Sequence, residues 1–163
     1  MDLIDYIYDE CHRQHVTNYG DFARAHEHMG VERQPSSDPL LQFKAMVMMI
    51  AFNVEPKVNN FRNYGDPFND NLRTSHVGFM HGGSAAPAGE VRERFDRWCE
   101  TAFYYVHESD LEPTLAEIDF LIKNLLDIHP WPDGNGRTAS ILRNWMLGTL
   151  DDPTPLPYYY GNA

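Results

Sequence analysis

Cysteine is scarce in this sequence, and its scarcity removes two classes of protein. Only Cys11 and Cys99 occur among the 163 residues, and they lack the close spacing of zinc ligands. A small domain held together by several disulfides is excluded for the same reason. Reduced thiols suit a cytoplasmic protein, and the stretch Met1 to Asp5 lacks the basic region of a signal peptide. We therefore expect a cytoplasmic location.

Basic residues and long apolar runs are also few. Lysine and arginine number 13 against 24 aspartates and glutamates, so the formal net charge is −11. Such a balance gives no general affinity for nucleic acid or for an anionic membrane surface. The longest apolar stretch, Leu40 to Phe52, is interrupted by polar residues and too short to span a bilayer. The sequence thus predicts neither a nucleic-acid nor a membrane partner and favours partners with basic surfaces.

Strands do not alternate with helices in this sequence, so a phosphate site of the Rossmann or P-loop type has no scaffold. Apolar residues instead recur at helical spacings of three and four. This periodicity predicts helices near residues 3–11, 22–29, 91–106, 115–128 and 141–150, and the apolar run 40–52 predicts a buried core helix. Thr114 and Glu117 have the spacing of a capping box at the start of one of them. We predict a mainly α bundle.

The helical pattern stops between residues 53 and 89, where Gly, Pro, Asn and Asp dominate. A short alternating piece in this connection, His76 to Met80, predicts an exposed strand of a small hairpin. A long irregular connection inside a compact domain is usually functional or disordered. An ordinary surface hairpin and a functional one both fit the pattern.

Residues 129–137, His-Pro-Trp-Pro-Asp-Gly-Asn-Gly-Arg, join two helical stretches and concentrate the chemically useful groups. Gly134 and Gly136 flank Asn135, so the backbone can approach a ligand closely. The helix that follows presents free N–H groups and the positive end of its dipole to the same place. Arg137 adds a planar cation that suits phosphate oxygens. This stretch therefore predicts an anion pocket.

Two further side chains add chemistry to that pocket. Asp133 offers hard oxygen ligands that could hold magnesium against a phosphate. His129 offers a base that works near neutral pH. The alternative interpretation, a Gly-rich turn with a capping Asp and a core-facing His, explains each residue singly but not all of them together.

The nine residues at 129–137 resemble the signature of the Fic (Fic/Doc) family, HPFx(D/E)GNGRxxR. Trp131 stands where the signature has Phe, and Ser140 stands where it has its final Arg. The resemblance is tight over the motif and looser over residues 73–150, which leaves the first seventy residues as a helical extension. It implies a Fic-fold helical bundle with a β-hairpin flap, in one domain: helices in 1–52, loop and flap in 53–89, and the site-bearing helices in 90–163.

The activity implied by this resemblance is transfer of AMP from ATP to a hydroxyl of a target protein. His129 would deprotonate the target Ser, Thr or Tyr, and Asp133 would hold Mg²⁺. Four residues would bind the nucleotide phosphates: Gly134, Asn135, Gly136 and Arg137. The flap, resembled by residues 73–83, would hold the target segment through His76, Val77, Gly78 and Phe79.

Ser140 introduces an alternative within the same resemblance. The arginine at this position contacts the nucleotide phosphates in the family, so its loss favours weaker triphosphate binding or another donor. Arg143, one helical turn further on, could replace it in part. Transfer of UMP, phosphocholine or phosphate, or a degenerate member that only binds, therefore remain open. No Ser or Thr is followed four residues later by Glu, as the family's inhibitory helix requires, so inhibition would need a partner in trans.

Overall fold

The computed structural model describes residues 38–54, 72–79, 82–149 and 152–157. The described chain forms four α-helices: α1 (Pro39–Val54), α2 (Val91–Phe103), α3 (Leu115–Ile128) and α4 (Asn135–Leu147). A 3-10 turn, Ala88–Glu90, leads into α2, and a π-helical turn, Tyr104–Glu108, follows it. The mainly α prediction is confirmed. The helices predicted near residues 3–11 and 22–29 lie outside the described residues. None of the helices that the structure describes is long and apolar enough to cross a membrane.

The four helices enclose one apolar core. Helix α3 packs against α4 and α2, and α1 packs against α4 and α2. Removing a large apolar side chain from water contributes about 1.5–3 kcal/mol. The largest fully buried side chains are Trp131, Phe95, Met48, Ile50, Ile118, Leu121, Ile122, Leu125, Ile141, Leu142 and Val47. Because they come from all four helices and from the loop before α4, that loop is part of the core packing.

The predicted core helix is present as α1, but it is not buried on every side. Phe43, Val47 and Ile50 are buried, whereas Leu41 is 36% exposed and Lys44 pairs with Asp96 of α2. The apolar run therefore supplies one face to the core, and its first turn meets solvent.

The capping box predicted before α3 is confirmed in both directions. The Thr114 hydroxyl accepts a hydrogen bond from the Glu117 N–H, and the Glu117 carboxylate accepts one from the Thr114 N–H. These bonds satisfy two polar groups that the start of a helix leaves without partners. Leu115, the first residue of the predicted amphipathic range 115–128, is 56% exposed, because it precedes the packed part of α3.

The end of α4 differs from the prediction. The helix stops at Leu147 and not near Leu150, because Gly148 adopts a left-handed conformation at φ 72°, which favours glycine. The chain then returns to α4, where the Asn144 side chain accepts the Thr154 N–H at 2.8 Å and donates to the Thr154 carbonyl at 3.0 Å. Leu156 packs against the core.

Within the part of the chain that the structure describes, the predicted hairpin is present as an antiparallel bridge between Gly78 and Ser84. The Phe79 N–H donates to the Gly83 carbonyl at 3.0 Å, and the Ala85 N–H donates to the Val77 carbonyl at 2.9 Å. We call residues 77–79 and 83–85 the hairpin. Its tip, residues 80 and 81, lies outside the described chain.

Candidate active site

His129 occupies an unusual backbone position at the end of α3. Its φ of 52° and ψ of 61° place it in the left-handed region, and among the described residues it is the one non-glycine with positive φ. Its N–H still donates to the Leu125 carbonyl at 3.0 Å. A side chain in this region costs roughly 1–2 kcal/mol, so the surrounding contacts must hold it there. The strain lies at the residue predicted to be the base.

The imidazole of His129 is held in a partly apolar setting. Its ring meets the Phe79 ring of the hairpin edge-on, with centroids 5.7 Å apart. Its Nδ1 is buried and has no hydrogen-bond partner among the described residues, so Nε2 is the nitrogen that can meet a substrate. Burial lowers the pKa of His129, the Arg73 charge lowers it further, and Asp133 opposes them. The ring is therefore neutral near pH 7, the form that can accept a proton.

This shift sets a pH dependence of stability. Between the lowered pKa of the native state and the ordinary value of 6.5, the unfolded chain binds more protons than the native protein. The free energy of unfolding should therefore rise with pH in that window and level off above it. Urea denaturation of wild type and His129→Gln at closely spaced pH values measures the difference. An equal pH dependence in the two proteins would contradict the shift.

The side chain of Asn135 closes the loop between α3 and α4. Its Oδ1 accepts the Trp131 N–H at 3.0 Å, and its Nδ2 donates to the Trp131 carbonyl at 2.9 Å. Trp131 is fully buried and meets Phe95 of α2 edge-on, with ring centroids 5.5 Å apart. The indole therefore anchors the loop in the core, as predicted. The family resemblance implies that Asn135 binds phosphate, but its side-chain amide is occupied by the loop itself, which leaves its backbone N–H for a ligand.

The start of α4 has the geometry of an anion site. Helix α4 begins at Asn135, earlier than its apolar stripe indicates. Gly134 occupies the N-cap position at φ 76°, and no side chain caps the helix. The first N–H groups of a helix have no acceptor within it and carry the positive end of the dipole. A Cβ on Gly136 would meet no atom within 4 Å. Protein packing therefore does not require a glycine at this position. The space beside Gly136 is open, and a ligand could occupy it.

In sequence, Asp133 precedes that helix start and Arg137 follows it. Asp133 is exposed, and its Oδ1 accepts the Gly134 N–H at 2.8 Å. Arg137 is half-buried in the first turn of α4. The described ranges contain no group of three or more His, Cys, Asp or Glu side chains that could hold a metal ion. A single exposed carboxylate fits Mg²⁺ that arrives with a nucleotide and takes its other ligands from phosphate and water.

Arg143, the predicted partial replacement for the arginine missing at Ser140, is engaged within the fold. Its side chain is 7% exposed; Nε donates to Asp119 Oδ1 at 2.8 Å, and Nη1 donates to Thr154 Oγ1 at 3.0 Å. The guanidinium thus joins α4 to α3 and to the returning chain. These contacts do not support the prediction that Arg143 binds phosphate. Ser140 itself is half-buried.

Sequence reasoning missed Arg73 as an individual residue. Its side chain is 3% exposed, and its Nε donates to the His129 carbonyl at 2.5 Å. Arginine is rarely buried, but no spacing pattern distinguishes a buried arginine in an irregular segment. The only signal was its position at the start of the predicted flap, three residues before the predicted strand.

The comparison with protein families agrees with the predicted family and with the mainly helical fold. The profile of the Fic/DOC family matches residues 4–147. The match begins well before residue 73, so it includes residues 4–72, to which the resemblance of the motif did not extend. A comparison with curated proteins finds no match. The chain therefore belongs to the Fic/DOC family, a family of Fic-fold transferases that act on protein targets.

Proposed function

We propose that this protein is an adenylyltransferase that moves AMP from ATP to a Ser, Thr or Tyr hydroxyl of a target protein. The observation that carries the proposal is the loop between α3 and α4. A histidine with a lowered pKa lies at one end of it, and an uncapped helix start lies at the other. A base for the hydroxyl and a cradle for the phosphates are the two components that this transfer needs.

In the proposed reaction the target oxygen attacks the α-phosphorus of ATP while His129 takes the hydroxyl proton. A new P–O bond forms to the target, the bond between the α-phosphorus and the bridging oxygen breaks, and pyrophosphate leaves. The N–H groups at residues 135–137 and the Arg137 guanidinium offset the charge that develops on the phosphate oxygens. The proton remains on His129 until it passes to solvent.

Asp133 is the proposed contact to Mg²⁺. When bound, the ion would neutralise phosphate charge and orient the leaving group. The carboxylate is fixed by its hydrogen bond from Gly134, so its position is set by the same turn that exposes the start of α4.

The hairpin is the proposed docking site of the target. An extended target segment would add a strand beside His76, Val77, Gly78 and Phe79, with main-chain hydrogen bonds giving affinity. His76 and Gly78 are exposed, and Phe79 already touches His129. A hydroxyl on the docked segment would then lie next to the base.

A second candidate function follows from the cations of α4. The neutral Ser140 replaces an arginine of the signature, and Arg143 is engaged by Asp119. The lost contact favours a donor other than ATP, so transfer of UMP, phosphocholine or phosphate is the alternative. A protein that binds nucleotide without turnover is the remaining one.

Mass spectrometry separates these functions. The purified protein is incubated with Mg²⁺, a cytoplasmic extract, and ATP, UTP, GTP or CDP-choline in separate reactions. We expect an added AMP on extract proteins or on the enzyme itself in the ATP reaction, and none with His129→Ala. Another added group would replace adenylyl transfer by the corresponding reaction, and no addition with any donor would favour a binding-only protein.

Gly136→Ala should separate ligand binding from folding. Alanine replaces a helical glycine without a clash, so the free energy of unfolding should rise by about 0.4–1 kcal/mol. The new methyl occupies the space that phosphate oxygens would enter, so affinity for a non-hydrolysable ATP analogue with Mg²⁺ should fall by about tenfold, or about 1.4 kcal/mol. Denaturation and calorimetric titration measure the two effects.

Gly89→Ala is the matched control, since a Cβ there also meets nothing within 4 Å and the residue lies in the 3-10 turn before α2. It should leave analogue affinity unchanged. Equal affinity of Gly136→Ala and wild type would remove the start of α4 from the nucleotide site.

A further inference from the structure

Arg73 binds the end of the helix that carries the base. Its Nε donates to the His129 carbonyl at 2.5 Å, and its Nη2 donates to the Ile128 carbonyl at 2.8 Å. Its backbone N–H donates to the Pro130 carbonyl at 2.8 Å. Three successive carbonyls at the end of α3 are thereby satisfied by one residue. A cation at the negative end of a helix dipole is also favourable electrostatically.

The same guanidinium binds both ends of the segment that contains the hairpin. Nη1 donates to the Ser75 carbonyl at 2.8 Å, and Nη2 donates to the Ala86 carbonyl at 2.5 Å. The Ala86 N–H in turn donates to the Asp127 carbonyl at 3.1 Å. The buried Arg73 side chain thus links the residues just before and just after the hairpin to each other and to α3, and the Ala86 N–H adds a direct backbone bond to α3.

The geometry of this network requires arginine. Each of the three guanidinium nitrogens donates to a backbone carbonyl, and these donors lie in a fixed plane. A lysine ammonium keeps the charge but presents its donors from one point, so it cannot bridge carbonyls on both sides. A comparison of wild type with Arg73→Lys therefore separates the effect of the hydrogen-bond geometry from the effect of the positive charge.

We propose that Arg73 is a positioning residue that fixes the hairpin and His129 relative to each other. A target segment bound to the hairpin is then held at a defined position next to the base. The contact between Phe79 and His129 is the point where the two parts meet. This inference rests on the proposed function for its consequence in catalysis, but the coupling itself is a property of the unliganded protein.

The charge of Arg73 has a separate effect on the base. It adds to burial in lowering the pKa of His129, while Asp133 acts in the opposite direction. Removing the charge should raise the pKa of His129, whereas a lysine should largely preserve it. The acid limb of the pH profile of kcat/KM therefore reports the charge, and kcat at its plateau reports the geometry.

The test compares Arg73→Lys and Arg73→Gln with Thr114→Ala, which loses the cap at the opposite end of α3. Against the target identified by mass spectrometry, we expect Arg73→Lys to lower kcat about 10²-fold, the scale of a small misplacement of reacting groups. Donor affinity should stay within about twofold, because the hydrogen bonds of Arg73 go to the end of α3 and to the hairpin segment. Arg73→Gln should also move the acid limb to higher pH, and Thr114→Ala should change neither quantity. Wild-type kcat in Arg73→Lys, or equal losses in Thr114→Ala, would overturn the proposal.

Hydrogen exchange of the unliganded protein tests the coupling without any activity. The amides of Phe79 and Ala85, which close the hairpin, should exchange about tenfold faster in Arg73→Lys, while amides in the middle of α2 keep their wild-type rates. Unchanged hairpin amides would overturn the inference whatever the reaction is. Faster hairpin exchange with no transfer from any donor would support the coupling and reject the proposed function.

Discussion

His129→Ala should reduce target modification by about 10²–10⁴-fold, the range that a positioned general base contributes. Donor affinity should change by no more than about threefold, because the imidazole acts on the incoming hydroxyl and not on the phosphates. Initial rates at saturating donor give the first quantity, and calorimetric titration with a non-hydrolysable analogue gives the second. A loss confined to the rate is the expected signature of a base.

Two further variants make this result specific. Alanine tolerates the left-handed backbone of residue 129 poorly, whereas asparagine adopts it more readily, so His129→Asn removes the base with less strain. His107→Ala removes a histidine outside the loop, on the π-helical turn after α2, and should keep the wild-type rate. If His129→Asn retained a tenth or more of the wild-type rate, His129 would not be the base.

The parts of the fold that the sequence predicted are those with local causes. The capping box of Thr114 and Glu117 lies within four residues and needs no distant partner to form. The periodicity of α2 is equally local, with Val91, Phe95 and Trp98 buried as their spacing indicates. Interactions inside one turn of helix are encoded in the order of neighbouring residues, so a pattern can identify them.

Partners far apart in sequence were not predictable in this way. Arg143 lies one turn beyond Ser140, and helical geometry alone permits it to lean toward the start of α4. Its carboxylate partner, Asp119, is 24 residues earlier on another helix, and that ion pair decides where the guanidinium lies. Arg73 presents the same problem, since its acceptor Ile128 is 55 residues away.

The loop itself shows both situations. Its two glycines indicated a turn open to unusual backbone angles, and Gly134 has positive φ, whereas the positive φ of His129 had no signal in the sequence. The motif did not indicate which groups of the loop stabilise its own backbone and which remain for phosphate. The Asn135 side chain serves the loop backbone, so phosphate binding falls to N–H groups and Arg137, and the missing arginine at Ser140 leaves that set with less charge.

Asn135→Ala should destabilise the protein even without a nucleotide. The substitution leaves the buried Trp131 N–H and carbonyl without their partners, and each such group costs about 1–3 kcal/mol. A total loss of about 2–6 kcal/mol is a large fraction of the roughly 5–15 kcal/mol that stabilises a typical domain. For a chain of this length the melting temperature should fall by about 2–4 °C for each kcal/mol. Thermal and urea denaturation of the unliganded protein measure the loss.

The comparison that decides the role of Asn135 is with Asn124→Ala, a half-buried asparagine on α3. That change should alter the free energy of unfolding by only about 0.5 kcal/mol, as is usual away from a buried network. If Asn135 acted through phosphate contacts alone, both variants would unfold like wild type and only Asn135→Ala would lose donor affinity. If the Asn135 side chain holds the loop, Asn135→Ala lowers the free energy of unfolding even without a nucleotide. Donor affinity then also falls, because the start of α4 and His129 are fixed to the same loop.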